Sequence, residues 1–192
     1  MISHKHKFIF IAVPKTGSRS IRTELNINSE QWHTRCSFHN AEELRNYFRF
    51  TIVRNPWARL LSVFCHYAQI KKKCEHYEKT KDRFSEFIKG VHFDESDNWN
   101  KKDKTTNLIP NYMLFTQKYW LDGNIDFIGR FEDLQKSFDT ICDQIKLPRQ
   151  KLPHHHKSDH KHYTEYYDDE AREIVAEKYA KDIEYFGYKF GE

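Results

Sequence analysis

The residue types best suited to holding an anion stand in one block near the start of the chain: Lys15, Thr16, Gly17, Ser18, Arg19 and Ser20. An unbroken apolar run over residues 8–13 precedes the block, and Ile21 and Leu25 follow at helical spacing. A buried strand that ends in such a loop and runs into a helix start exposes several backbone N–H groups, which the helix dipole reinforces. Gly17 permits the tight turn, and Ser18 is placed to cap the helix. The bland alternative is an ordinary strand, turn and helix carrying a surface lysine. A Walker A loop is excluded, because no Gly-x4-Gly-Lys occurs and Lys15 precedes Gly17.

A second block follows another apolar run, residues 48–53. Arg54 stands at its end, Asn55 is placed as the N-cap of a helix, and Pro56 as its first residue. Arg54 offers a planar fork of donors, and Ser62 on the helix can face the same small anion. Two anion sites after two parallel strands suit one ligand with an anionic group at each end, since ligands of open α/β sheets bind outside the carboxyl ends of the strands. The histidine cluster at positions 154, 155, 156, 160 and 162 has no cysteine or acidic partner at a standard zinc spacing, so no metal site is expected.

The elements that must position these groups are legible in outline. Trp57, Leu60, Leu61, Phe64 and Ala68 mark one face of the helix after Asn55, with Arg59, Ser62 and His66 on another. Residues 71–83 are charged throughout and read as a solvated segment. A short strand lies within 124–132, Leu134, Phe138, Ile141, Cys142 and Ile145 trace a helix face, and a further helix is expected over 168–181. Strands alternating with helices predict an α/β fold, a P-loop-like parallel β-sheet flanked by helices on both faces. No linker or repeat divides the 192 residues, so a single domain over 1–192 is expected.

A net charge of +4 favours anionic ligands but lacks the concentrated basicity of a dedicated nucleic-acid binder, and no nucleic-acid partner is expected. No apolar run approaches the roughly 20 residues that cross a bilayer, so no membrane association and a cytoplasmic location are expected. Cys36, Cys65, Cys74 and Cys142 are widely spaced, form no CxxC, and are read as reduced thiols.

Val13-Pro14-Lys15-Thr16-Gly17-Ser18-Arg19-Ser20 resembles the 5′-phosphosulfate loop of the carbohydrate sulfotransferases, and residues 52–62, from Ile52 to Ser62, resemble their 3′-phosphate motif. Further similarities are Asp126-Phe127-Ile128-Gly129-Arg130-Phe131-Glu132-Asp133-Leu134, a His-Lys-Ser stretch at 156–158, and Asp182 to Tyr188. The chain departs from the pattern at Ala58, where an acidic residue is common, and at His156 in place of Asn. The resemblance implies a sulfotransferase fold and transfer of a sulfuryl group from PAPS (3′-phosphoadenosine-5′-phosphosulfate) to a hydroxyl, on a glycan or other small acceptor, releasing 3′,5′-ADP without a metal. It implies that Lys15 stabilises the leaving group and that Thr16, Gly17, Ser18, Arg19 and Ser20 hold the 5′ end. Arg54 and Ser62 would hold the 3′-phosphate, and Lys157 and Ser158 would close over the nucleotide. His39, which begins a stretch similar to one where relatives carry a catalytic histidine, becomes the candidate base, with His33 second. Two rival readings are a P-loop kinase, whose Walker lysine is not visible, and a non-catalytic module binding anionic ligands.

Overall fold

A computed structural model of the chain describes residues 1–27, 33–70, 77–91, 109–153 and 161–192. The chain gathers into two compact units, one of Met1–Arg54 with Gln117–Lys157 and one of Asn55–Thr116 with Ser158–Glu192.

The first unit is built on a four-stranded sheet in the order β1 (Ile2–Ser3), β2 (Phe8–Ile11), β3 (Phe48–Val53) and β4 (Phe127–Arg130). The pairs β2/β3 and β3/β4 are parallel, with Ile11 beside Thr51 and Val53 beside Arg130 at the ends of their registers. The two-residue β1 runs antiparallel on the edge of β2. That makes the sheet mixed where the sequence reads as parallel, because two residues carry no period of their own. Every side chain of β2 is buried, as the apolar run requires of a strand covered on both faces. Phe10 stacks on Phe50, Phe8 meets the same ring at a tilt, and all three share a core with Ile21 and Leu25 of α1 (Ser18–Glu24) and Phe138 and Ile141 of α5 (Leu134–Gln144). Helices packed on parallel strands give the α/β class. Gly129 leaves room for that packing, since a Cβ there would lie 2.7 Å from Ser137 Cβ.

The second unit is helical: α2 (Pro56–Ile70), α3 (Tyr77–Gly90), α6 (Asp169–Lys178) and α7 (Ala180–Phe186). The short α4 (Gln117–Trp120) belongs to the first unit. Asn55 caps α2 as expected, its Oδ1 accepting from the backbone N–H of Trp57 at 3.2 Å. Trp57, Leu60 and Leu61 form the buried face of that helix. Arg59, which the helical spacing sets beside Ser62 and His66, is fully buried instead. Its guanidinium donates to the carbonyls of Met113 and Phe115 and lies over the Tyr179 ring. A long side chain reaches carbonyls that no periodicity reveals, and the planar fork satisfies several at once. The single helix expected over 168–181 is two, α6 and α7, which meet at Tyr179.

Among the described residues no helix is long and apolar enough to cross a membrane.

Candidate active site

The loop after β2 is shaped by two left-handed residues, Lys15 at φ 66° and Gly17 at φ 81°. Gly17 itself is the N-cap of α1, with no side-chain capping bond, so Ser18 is the first helical residue and not the cap. A Cβ at Gly17 would meet Leu134 Cδ2 at 2.9 Å and the Phe131 ring at 3.2 Å. Thr16 is fully buried and its hydroxyl donates to the Val13 carbonyl at 2.9 Å, which ties the loop back onto the strand end. Thr16 therefore serves the loop's shape through its side chain. Ser18 and Ser20 are buried in the first turn of α1, Arg19 is exposed, and Lys15 is half-buried.

Arg54 ends β3, and the fold brings it to this loop. Its Nη1 donates to the Lys15 carbonyl at 3.4 Å, and its guanidinium lies over the Phe131 ring at 4.1 Å. Its backbone is held by one side chain: Arg54 N–H donates to Gln117 Oε1 at 2.8 Å, and Gln117 Nε2 donates to the Arg54 carbonyl at 2.7 Å. Phe131 N–H in turn donates to the Val53 carbonyl at 2.8 Å. The residue types in 13–20 and at 54 include a lysine, two arginines and hydroxyls but no carboxylate. That donor set fits an anion.

Two histidines lie against the sheet: His33 beside Ala12, just past the end of β2, and His39 against Arg49, near the start of β3. His33 Nδ1 lies 2.6 Å from the Ala12 carbonyl, which only accepts, so Nδ1 carries the hydrogen and the neutral ring keeps its lone pair on Nε2. Burial lowers its pKa. His39, 6% exposed, has Nε2 at 3.0 Å from Thr34 Oγ1, and its carbonyl accepts from Arg49 Nη2 at 3.0 Å. Burial first, then the positive charge of the amino terminus and of Arg49, lowers its pKa to about 4. Arg35 pairs with Asp122 at 2.8 Å, and Ser37 also bonds that carboxylate, which anchors the segment between the two histidines.

Ser62 lies half-buried on α2 in the second unit. Lys157, Ser158 and the histidines at 154, 155, 156 and 160 lie outside the described residues. Among the described residues no group of three or more His, Cys, Asp or Glu is placed to hold a metal ion. Cys36, Cys65 and Cys142 are buried and stand outside any disulfide.

Sequence reasoning missed Gln117 and Phe131. Phe131 sits within a motif of the resemblance, but its position under Arg54 is a tertiary fact. Gln117 shows only as a polar residue among Met113, Leu114, Phe115 and Trp120.

A family model described as "Sulfotransferase family" matches residues 1–189 of the 192. No curated protein and no solved structure matches the chain.

Proposed function

From the premise that this chain belongs to the sulfotransferase family and is a sulfotransferase, we propose that its donor is PAPS and its acceptor a carbohydrate hydroxyl. The observation that supports the donor assignment is the contact of Arg54 with the Lys15 loop, a residue of each of the two motifs meeting past the ends of β2 and β3. Bound there, PAPS supplies the activated sulfuryl group. Lys15 and the N–H groups of the loop would hold its 5′ end, Arg54 its 3′-phosphate, with Ser62, Lys157 and Ser158 contributing as the resemblance implies.

Sulfuryl transfer needs an in-line acceptor oxygen and stabilisation of charge on the leaving group. Lys15 is the cation for that charge. The half-buried position of Lys15 strengthens its field over that of a lysine in bulk water. His39 is the proposed base. Burial lowers its pKa to about 4, which leaves the ring neutral and able to accept a proton at neutral pH but makes it a weaker base than a histidine whose pKa lies near neutrality. His33 is second, favoured by the Ala12 contact that fixes its lone pair on Nε2.

The test is incubation with labelled PAPS and a panel of glycans, small alcohols and phenols, beside calorimetric titration with 3′,5′-ADP. Label should pass to glycans, and 3′,5′-ADP should bind and raise the melting temperature by mass action. Absence of both heat and thermal shift at millimolar 3′,5′-ADP would rule out the donor assignment. Transfer to phenols alone would rule out the acceptor class.

A further inference from the structure

We propose that Gln117 and Phe131 are positioning residues that present Arg54 to a 3′-phosphate, and so set the preference for a 3′-phosphorylated nucleotide. The proposal rests on the PAPS-site reading and adds two residues to it.

Arg54 lies just past the point where the sheet can hold it. The β2/β3 register ends at Thr51 and the β3/β4 register at Val53, one residue before Arg54. Gln117 takes up the backbone of Arg54 with its side chain. Its amide both accepts from the N–H and donates to the carbonyl of the same residue, the exchange that a hydrogen-bonded strand pair makes. Gln117 is itself 0% exposed and begins α4, so the amide is held from both sides. This fixes the direction in which the Arg54 side chain leaves the sheet.

Phe131 fixes the other end. Its ring faces the guanidinium at 4.1 Å and also fills the space that a Cβ on Gly17 would need. One ring thus packs against both Arg54 and the loop. Stacking uses the face of the guanidinium and leaves its N–H groups directed in the plane, where the Lys15 carbonyl takes one and phosphate oxygens are bound by preference. An arginine side chain gives up considerable rotamer freedom on binding, and holding it in advance removes that cost from the ligand.

Calorimetric affinities for 3′,5′-ADP and 5′-AMP give the test, because their ratio reads the 3′-phosphate alone. Wild type should prefer 3′,5′-ADP strongly. Phe131→Leu should cut the ratio by roughly fivefold, on the scale of a partly desolvated cation–π contact, while 5′-AMP affinity changes by less than about threefold. Gln117→Ala should cut it by about tenfold, on the scale of lost hydrogen bonds to a buried backbone. Phe131→Tyr, which keeps the ring, should retain the wild-type ratio, and Gln117→Ala carries the test if the leucine variant fails to fold. A folded Phe131→Leu or Gln117→Ala variant that keeps the wild-type ratio, or loses both ligands in equal proportion, overturns the proposal and leaves the donor site standing, as does a Phe131→Tyr variant that loses the ratio. A wild type that shows no preference removes the donor reading, and this inference falls with it.

Discussion

Lowering the pH should weaken the protein through His39. The native ring is kept neutral by burial, with a pKa lowered from 6.5 to about 4, while the unfolded chain takes up a proton as the pH falls through 6.5. A lowered histidine pKa means the unfolded state binds more protons in this window. The contribution is therefore complete above about pH 7 and is lost as the pH falls toward 4. At about 1.4 kcal/mol per tenfold change in proton affinity, the full loss is about 3 kcal/mol, of which about 2 kcal/mol is gone at pH 5. The comparison variant is His39→Gln, whose amide nitrogen can keep the Thr34 contact at Nε2 and cannot titrate. Urea unfolding of both proteins at about pH 7.5 and about pH 5 should show the wild-type advantage shrinking by about 2 kcal/mol, with other titrations, including that of His33, cancelling in the difference. A difference that does not change with pH, or a native His39 midpoint near 6.5 by NMR, would refute the reasoning. The same depression reaches catalysis: if His39 is the base, turnover should fall on an acid limb near pH 4 and not in the neutral range.

The loop and Arg54 give further expectations. Arg54→Ala should weaken 3′,5′-ADP binding by roughly 2–5 kcal/mol in calorimetry, because a desolvated phosphate loses a charged partner. Lys15→Ala should lower turnover by roughly 10²–10³-fold with a smaller effect on donor affinity, on the scale of a lost oxyanion donor, measured as kcat against KM for PAPS. Gly17→Ala should cost about 2–4 kcal/mol in urea unfolding, combining a left-handed backbone with overpacking against Leu134 and Phe131.

The elements were legible where local chemistry decides them. The buried run ending at Val13, the Asn55-Pro56 helix start and the Leu134 to Ile145 helix face each follow from neighbours in sequence. What was hidden is contact at a distance. Arg59 reads as a helix-surface cation by spacing, yet it caps carbonyls more than fifty residues away. Ser18 reads as an N-cap by type, yet Gly17 takes that place because its left-handed φ closes the turn one residue earlier. The donors of the site were visible as residue types, while the two side chains that orient Arg54 come from 63 and 77 positions further along the chain. No local pattern couples them to it.

The physical logic of the site lies in backbone shape fixed before any ligand arrives. Lys15 adopts a left-handed conformation that costs a non-glycine residue about 1–2 kcal/mol, and such a cost persists only where the surroundings over-determine it. Three contacts do so: Thr16 bonds back to Val13, Arg54 donates to the Lys15 carbonyl, and Gly17 closes against Phe131 and Leu134. The residue that would meet the leaving charge is thus set by the end of one strand and the residue following the next. Electrostatic stabilisation is most effective when donors need no reorganisation at the moment of reaction. It follows that changes at Thr16 or Phe131, neither of which need touch the transferred group, should reach turnover through the loop.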